Sequence, residues 1–504
     1  MNLLTIRTNT LWLKWILTIL ALSAYSLSYG QLWQNFYTFG QNAEDRSYSM
    51  LQLKDQGYLL VGRIEDVDTG DGDKDLFVVR TDVDGRELWN TTIDPTYSKT
   101  ERGLDVVEDE AGNLYIVGEI DYFTDNTFDI FLVKLDNRGN LLWEQAIGSP
   151  MVSERGTAIT LTSDNHLIIS GSKESTPIAG NGGMDAYLAK FDLDGALVWE
   201  KTYGFNQDDT ANDILVIDDG NGTDLKYAIT GRAFNPSSNT FDIFLAEVSP
   251  IDGELLGTFN VISTNDFDEE AKSFIYLYDD QSYLIAGNQK TGGASSDMIW
   301  TRISVDESIP FEITYLWQEP YTVFNGPADL GEGAERVIQM QNGSFAIVGF
   351  EEVTMSNIGI RLIQVDEDGN FDGTAIPPYY DDAGTKSYFV GDFVERPEER
   401  GFAITGTQSQ QGDIISDIFL FRTGPQGSVY NNMISGQVYL DDNLDCGYDA
   451  GEPLLANWRV QATNQDNGEI FYSSTTNLGA YQLVVPVGNY ELTVLSKNDY
   501  WDIT

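Results

Sequence analysis

One twelve-residue segment carries oxygen-bearing side chains with the types and spacing of a metal site. Counting from Asp441, carboxylate or amide oxygens fall at positions 1, 3, 5, 9 and 12, on Asp441, Asn443, Asp445, Asp449 and Glu452. Calcium prefers oxygen ligands at this spacing, with a backbone carbonyl at position 7, which is Gly447, and two oxygens from the last residue. Four carboxylates this close repel one another unless a cation lies between them. We therefore predict that calcium orders this loop.

The loop departs from the usual calcium pattern at one position. Position 6 normally carries a glycine for a sharp turn, whereas Cys446 stands there and Gly447 follows it. No helical pattern flanks the loop on either side. The alternative interpretation is an acidic surface turn with shallow affinity for any divalent ion.

The residues around the loop predict a small β-sandwich over 434–499. Alternating runs such as ISGQVYL from Ile434 and NYELTVL from Asn489 are typical of an Ig-like or prealbumin-like sandwich. The segment resembles the B domains of serine-aspartate-repeat surface adhesins, on a pattern matched by Tyr439, Asp441, Asn443, Asp445, Asp449, Gly451 and Glu452. That resemblance implies a stiff, calcium-clamped spacer and carries over no catalysis.

Other metal and nucleophile chemistry is limited by the scarcity of thiols and imidazoles. The 504 residues contain one Cys, Cys446, and one His, His166. An intrachain disulfide and a Cys/His zinc cluster are therefore excluded, and at most one histidine base exists. His166 follows Ser163-Asp164-Asn165, where related segments carry turn residues, so we predict a turn position rather than a catalytic base.

The most regular feature of the chain is an apolar strand that ends in glycine. It recurs seven times at intervals of 53–62 residues, at Gly62, Gly118, Gly171, Gly231, Gly287, Gly349 and Gly406. Strand-like runs precede and follow each copy, so each repeat predicts one antiparallel sheet of four strands. A sheet that is apolar on both faces needs a neighbour on each side. We predict an all-β chain with a seven-bladed β-propeller over 31–430.

The N-terminal strand predicts how this ring closes. The last repeat lacks a Trp-containing fourth strand, and residues 32–40, which begin near Trp33, resemble that missing strand. We expect them to pair into the last blade. An open solenoid is the alternative, and it leaves this strand unexplained.

Two residue types recur within the repeat. An acid opens the third strand of most copies, at Asp75, Asp129, Asp185, Asp242, Asp297 and Asp417. We predict that these acids cap turns, with a carboxylate ring for a cationic or metal-bridged ligand as the alternative. A tryptophan follows the next turn, at Trp89, Trp143 and Trp199 and, in a weaker copy, at Trp317. We predict that these indoles pack between blades rather than stack on sugars.

This pattern, roughly D-x-F-L-x-K-x-D-x-x-G-x-x-x-W-x-x-x-x-G, resembles the propeller repeats of secreted Bacteroidetes proteins. Many such proteins leave the cell through a type IX system. The resemblance covers about four fifths of the chain and implies an architecture and a compartment, not an activity.

Charge and targeting point in the same direction. With 79 Asp and Glu against 29 Lys and Arg, the formal charge of −50 disfavours nucleic acid and anionic membranes as partners. Residues 1–30 combine Arg7 and Lys14 with a short apolar run and a small-residue cleavage site, which predicts a cleaved export signal. That run is too short for a transmembrane helix. We expect a monomer that is secreted or held at the outer cell surface.

These observations favour recognition over catalysis. We expect the propeller to bind an extracellular carbohydrate or protein, with the sandwich as a spacer. The alternative is a glycosidase or lyase that uses propeller carboxylates on a polysaccharide, since two suitably placed acids suffice. Residues 500–504 would begin a linker or a truncated tail.

Overall fold

The computed structural model describes residues 4–8, 34–37, 44–65, 73–95, 98–122, 127–175, 183–205, 207–262, 267–290, 296–306, 312–321, 331–354, 357–370, 379–380, 386–396, 401–410, 416–423, 432–440, 452–455, 458–465, 468, 470–475, 479–485, 488–495 and 501–503. Within these ranges the protein is all-β and contains no helix. Accordingly, the described residues include no helix of the length and apolarity that crossing a membrane requires.

Sheets of four antiparallel strands recur along the chain. The first sheet holds β3 (Arg46–Gln52), β4 (Tyr58–Glu65), β5 (Lys74–Thr81) and β6 (Glu87–Ile93). The second holds β7 (Ser98–Glu108), β8 (Leu114–Tyr122), β9 (Phe128–Leu135) and β10 (Leu141–Ile147). A single parallel bridge, between Lys74 and Thr100, joins these two sheets.

The next four sheets follow the same order. They comprise β11 (Glu154–Leu161), β12 (His166–Ser175), β13 (Gly183–Asp192) and β14 (Leu197–Tyr203); β15 (Thr210–Asp218), β16 (Asp224–Asn235), β17 (Thr240–Val248) and β18 (Asn260–Ile262); β19 (Asp268–Leu277), β20 (Ser282–Lys290), β21 (Ser296–Asp306) and β22 (Glu312–Tyr321); and β23 (Glu332–Gln339), β24 (Phe345–Thr354), β25 (Asn357–Val365) and β26 (Tyr379–Tyr380). Each of these sheets therefore consists of four strands that are consecutive in the sequence.

The last sheet of this series combines strands from both ends of the sequence. Its order is β2 (Gln34–Tyr37), β29 (Ser416–Arg422), β28 (Gly401–Gln410) and β27 (Lys386–Arg396). The last sheet is also hydrogen-bonded to the first, because Asp45 N–H donates to the Ser416 carbonyl at 3.1 Å and Ser47 N–H to Thr407 Oγ1 at 3.3 Å.

The recurring glycines sit where two strands approach closely. Gly62, Gly118 and Gly171 each pair with the first strand of their sheet, next to a β-bulge. A Cβ added to any of them would lie 1.8 Å from a backbone carbonyl oxygen of that strand. No other residue fits there, which is the physical reason for the repeated strand ending.

Neighbouring sheets bury their apolar faces against one another. The second strand of each sheet is buried almost throughout, as in β4, whereas the fourth strand, such as β6, alternates exposed and covered residues. One core cluster joins Leu188 of the third sheet to Phe244 of the fourth. Strands that are covered on both faces read as continuous apolar runs, which is the pattern that the sequence carries.

The recurring tryptophans pack between sheets, as the repeat predicts. Each lies against a turn glycine of the following sheet, in the pairs Trp89 and Gly139, Trp143 and Gly195, Trp199 and Gly253, and Trp317 and Gly369. Every one of these glycines has a positive φ. The indole covers a site that a side chain would otherwise fill.

The chain divides into two compact units. One consists of Asn35–Val394 and Ile404–Leu420, and the other of Met1–Gln34, Glu395–Ala403 and Phe421–Thr504. The second unit contains a sheet of β33 (Ala480–Val485), β30 (Asn432–Leu440), β1 (Leu4–Thr8) and β35 (Trp501–Ile503), and another of β32 (Ile470–Ser474), β31 (Arg459–Asn464) and β34 (Tyr490–Leu495). A core that includes Val438, Trp458 and Phe471 draws on both sheets. Of the predicted export signal, only β1 lies within the described residues.

Candidate ligand-binding face

Three arginines occupy the same register on the first strands of the first three sheets. Each of them directly precedes the residue that pairs with the recurring glycine of its sheet. The three are Arg46, Arg102 and Arg155. Their cross-strand partners are Arg63, Glu119 and Ser172. We call Arg46, Arg102 and Arg155 the arginine arc.

The Glu119 carboxylate lies between Arg102 and Arg155. Its side chain is only 5% exposed, and Arg102 donates to its Oε2 from Nε at 3.2 Å and from Nη2 at 2.6 Å. Arg155 Nη1 lies 4.0 Å from the other oxygen. A buried carboxylate that accepts from one guanidinium fixes that side chain in position.

An aromatic ring lies between two of these arginines. The guanidinium carbon of Arg102 is 5.7 Å from the centroid of the Phe128 ring, and that of Arg155 is 4.9 Å from it. Arginine stacks well on aromatic faces because its planar cation is weakly hydrated. Phe128 therefore supports both cations without neutralising either of them.

A second acid organises the other end of the arginine arc. Glu44 contacts three cations, with Arg46 Nη2 at 2.5 Å, Lys74 Nζ at 2.7 Å and Arg63 Nη2 at 3.2 Å. Burial opposes ionisation of Glu44, but the hydrogen bond from Lys74 and the two arginines outweigh it and lower the pKa of this carboxyl. Glu65 lies beside it and accepts the Glu44 backbone N–H at 3.1 Å.

The result is a cluster of cations on a strongly acidic chain, and two of its members remain accessible. The side chains of Arg46 and Arg155 are 44% and 42% exposed. Within the described residues the Arg155 guanidinium makes no hydrogen bond, so its N–H donors are available. Guanidinium groups recognise carboxylate and sulfate oxygens through paired donors. This face can bind an anionic ligand.

Beside the bulges, buried aspartates join neighbouring sheets. Asp105 accepts N–H groups from Val106 and from Ile159 of the next sheet, both at 2.9 Å. Asp213 repeats this arrangement with Ile214 at 2.9 Å and Phe274 at 3.2 Å. Each carboxylate satisfies one backbone donor on either side of a sheet boundary.

Asp392 repeats the arrangement between the last sheet and the first. It accepts from Phe393 N–H at 2.7 Å and from Met50 N–H at 3.2 Å. Arg336 Nε lies 3.3 Å from it, and Ser49 Oγ donates to both Asp392, at 3.3 Å, and Asp105, at 3.0 Å.

Burial sets the protonation of this group. It raises the pKa of Asp105 to about 6, although Arg336 opposes it, and the nearby Asp392 adds to the rise. Burial likewise raises the pKa of Asp213. Asp392 in turn raises the pKa of Arg336.

Acids from the first and second sheets also meet beside the arginine arc, where the third strand of the first sheet begins at Lys74. One oxygen from each of Asp75, Asp94 and Glu101 lies within 4.8 Å of the other two. At the next boundary, burial raises the pKa of Glu154, and Asp129 adds to the rise. Carboxylate oxygens of this kind are the donors that a hard cation prefers.

The predicted calcium loop falls almost entirely outside the described residues. Of the predicted ligands, only Glu452 is described, and it is half-buried. The others lie outside the described residues; they are Asp441, Asn443, Asp445, Gly447 and Asp449. The ends of the loop are adjacent, because Leu440 N–H donates to the Pro453 carbonyl at 2.9 Å and Tyr439 bridges Leu454. Such a closed loop can bring its oxygens together as a calcium site requires.

The turn-capping role falls largely on acids other than those predicted. Asp82, Asp136, Asp192 and Asp366 each accept backbone N–H groups two and four residues further on. These acids end the third strands. Among the acids that open those strands, Asp242 does accept hydrogen bonds from turn side chains, while Asp75 is buried beside Asp94 and Glu101. The motif thus contains two acids, and the second one caps the turn that follows the third strand.

The sequence predicts a turn position for His166, and the structure places it directly after the turn at 163–165, as the first residue of β12. Thr162 N–H donates to its carbonyl at 2.9 Å, and Asn165 N–H donates to the Thr162 carbonyl at 3.1 Å.

The arginine arc is the feature that sequence reasoning missed. Its signal was an acid–arginine pair before the first strand's bulge, at Asp45-Arg46, Glu101-Arg102 and Glu154-Arg155. Three copies in consecutive repeats place the arginines side by side once the register is known.

Comparisons with known proteins identify a general architecture only. No family model matches the chain, and none of the curated proteins matches it. Similar solved structures include the β-propeller domain of the Trilobed protease from Pyrococcus furiosus, with 11% identity, a TM-score of 0.39, and coverage of 76% of this chain and 94% of that one. A polysaccharide lyase shows 11% identity and a TM-score of 0.46, covering 77% and 92%. A periplasmic gluconolactonase from Pseudomonas aeruginosa shows 10% identity and a TM-score of 0.43, covering 90% and 99%. Identities this low transfer no activity.

Proposed function

We propose that this protein is an extracellular recognition protein whose arginine arc binds a carboxylate-bearing carbohydrate or protein. The observation that carries this proposal is Arg155, a half-exposed guanidinium that stacks on Phe128 and makes no hydrogen bond among the described residues. An accessible cation on a chain of charge −50 offers its donors to an anionic partner.

Binding assays with two polyanions test the proposal. We expect the full chain to bind polygalacturonate or poly-glutamate. Arg155→Ala should weaken that binding at least tenfold, since one hydrogen bond to a charged group contributes about 1.5–3 kcal/mol and each 1.4 kcal/mol is a factor of about ten. Arg155→Lys keeps the charge but loses the paired donors, so we expect an intermediate loss. Preference for one polymer distinguishes a carbohydrate from a protein ligand.

Arg138→Ala is the matched control, because Arg138 lies in an exposed turn away from the arc. Equal affinity in Arg155→Ala and wild type, or no binding of either polymer, contradicts the proposal.

We propose that the repeated sheets are the seven blades of a β-propeller over 31–430, closed by the strand within 32–40. The placement of β2 beside β29 supports this closure. The hydrogen bonds of Asp392 to the first sheet support it further.

The second unit is proposed as a calcium-stabilised spacer over 434–499, of Ig-like or prealbumin-like type. Asp441, Asn443, Asp445, Asp449 and Glu452 would hold calcium, with the Gly447 carbonyl. The adjacent loop ends at Leu440 and Pro453 support a closed loop of the required length. Calcium would neutralise these acids and order the loop.

Export is proposed through the signal at 1–30, with the mature protein secreted or held at the outer cell surface as a monomer. The scarcity of cysteine suits this compartment only if packing and calcium replace disulfides. Detection of residue 31 as the mature N-terminus would test the cleavage directly.

A polysaccharide-acting enzyme is the second candidate. The observation in its favour is that Asp105, with a pKa of about 6, shares Ser49 with the ion-paired Asp392. Two carboxyl groups in different environments can serve as acid and base. Turnover of a polysaccharide that Asp105→Asn abolishes would favour this function over recognition.

A further inference from the structure

A cavity of about 410 Å³ opens between the third and fourth sheets. Its lining includes Asp164, His166, Lys190, Trp199, Asp224 and Ile251. A volume of this order is typical of small-molecule sites. Arg155 and Thr162 stand near opposite ends of β11, seven residues apart, so the cavity lies about 23 Å from the arginine arc.

One wall of the cavity is a fixed chain of hydrogen bonds. Lys190, with a side chain only 6% exposed, donates from Nζ to Asp164 Oδ2 at 2.8 Å and to the Tyr227 hydroxyl at 3.0 Å. The Tyr227 hydroxyl donates to Asp224 Oδ2 at 3.0 Å. The lysine charge is thus matched within the wall, and each acid is held in place.

His166 contributes an unused acceptor. Its Nδ1 lies 2.9 Å from the Asp164 backbone carbonyl, which can only accept, so Nδ1 carries the proton. Nε2 of the neutral ring then holds a lone pair, and it has no partner among the described residues. The imidazole is 29% exposed and lines the cavity.

Apolar side chains adjoin these polar groups. Trp199 pairs with Lys190 across β13 and β14 and stacks on Tyr227 with ring centroids 6.4 Å apart, which fixes the indole. Val198 and Ile251 also line the cavity and are 52% and 85% exposed. Their exposure leaves apolar surface uncovered beside the polar wall.

We propose that this cavity binds a neutral sugar residue. A pyranose ring combines hydroxyl donors, which His166 Nε2 and the remaining lone pairs of Asp164 and Asp224 accept, with an apolar C–H face that suits the exposed side chains of Val198 and Ile251. A cation is disfavoured because both carboxylates already accept hydrogen bonds, from Lys190, Thr162, Ser163 and Tyr227. An anion is disfavoured because two carboxylates face one lysine. The site is independent of the arginine arc.

Saturation-transfer NMR of the full chain tests the site with glucose, galactose, mannose, xylose and N-acetylglucosamine as separate probes. We expect saturation transfer to at least one sugar, at millimolar affinity. We expect His166→Ala and Ile251→Ala each to weaken that binding at least threefold. His166→Gln, which can place an oxygen acceptor near Nε2, should restore part of the loss.

The controls separate this site from the arginine arc and from folding defects. Leu88→Ala removes an exposed aliphatic side chain outside the cavity, and we expect this variant to bind sugar like wild type. Arg155→Ala should also bind sugar like wild type, so failure of the arc does not affect this test. If none of the five sugars receives saturation transfer, the proposal is overturned. It is also overturned by binding that His166→Ala and Ile251→Ala leave unchanged while their thermal midpoints match wild type.

Discussion

Replacing Asp392 with alanine should loosen the junction between the last sheet and the first. The substitution removes the acceptor for Phe393 N–H, at 2.7 Å, and for Met50 N–H, at 3.2 Å. It also leaves the Arg336 guanidinium without the carboxylate that lies 3.3 Å away. Asp392 itself is 3% exposed, so water replaces these contacts poorly.

The expected loss follows from these contacts. A hydrogen bond to a charged group contributes about 1.5–3 kcal/mol, and removal of one partner of a buried ion pair costs about 3–5 kcal/mol. Because these contributions overlap, we expect Asp392→Ala to lower the free energy of unfolding by about 5 kcal/mol. An unfolding entropy of about 2.1 cal/mol/K per residue over about 380 residues converts this to a fall of about 6 °C in Tm.

Differential scanning calorimetry provides the assay, and Asp213→Ala is the matched control. Asp213 makes the same two backbone contacts, at 2.9 and 3.2 Å, but has no direct ion pair with Arg336. We expect its Tm to fall by about half as much. In the Asp392→Ala background, Arg336→Met should recover stability because it removes the uncompensated charge. If Asp392→Ala unfolds within 1 °C of wild type, or no earlier than Asp213→Ala, the reasoning is refuted.

Three further predictions concern the turns, pH and calcium. Gly253→Ala should lower the free energy of unfolding by about 1–3 kcal/mol more than Gly220→Ala does, as measured by denaturant unfolding. Both glycines have φ near +70°, but only a Cβ at Gly253 would lie 2.6 Å from Trp199. Equal losses would show that the indole moves aside at no cost. Burial raises the pKa of Asp209 to about 6, so its proton is bound more tightly in the folded state than in the unfolded state. The free energy of unfolding should therefore fall by about 2 kcal/mol as pH rises from about 4 to about 6. Asp209→Asn should flatten that slope, and an unchanged slope would contradict the assignment. Calcium at a hundred times its Kd should stabilise the second unit by about 2.7 kcal/mol in thermal unfolding, and Asp445→Ala should abolish this gain. Identical unfolding curves with calcium and with chelator would contradict the proposed calcium site.

Much of the fold follows from short-range sequence patterns. The apolar strand ending in glycine predicts a buried strand with a close neighbour, and Gly62 has that neighbour in the Arg46 carbonyl. The turn glycine and the tryptophan after it predict packing between sheets, and Trp89 lies on Gly139. These features depend on local sterics, which are the same in each repeat that carries the glycine or the tryptophan.

The candidate site was harder to predict because it depends on register between strands. Whether Arg102 faces solvent or the core depends on the bulge that follows it, between Gly103 and Asp105. A bulge shifts the side-chain alternation by one residue, and no residue type marks it in advance. The two acids of each repeat raise the same difficulty, because only pairing shows that Asp82 caps the turn and Asp75 is buried.

The pairing of β2 with β29 has a consequence for how the chain folds. Asp45 and Ser416 meet across 371 residues of sequence, so the sheet that contains β2 forms only after nearly the whole chain is available. Closing so long a loop is slow and is compensated only by the contacts made at the end. Folding therefore cannot be completed progressively from the N-terminus, and until Ser416 has been synthesised the edges of the first and last sheets remain open to other chains. Such an intermediate is prone to pair with a second copy of itself, which makes dilution and rapid completion of the chain decisive for its yield.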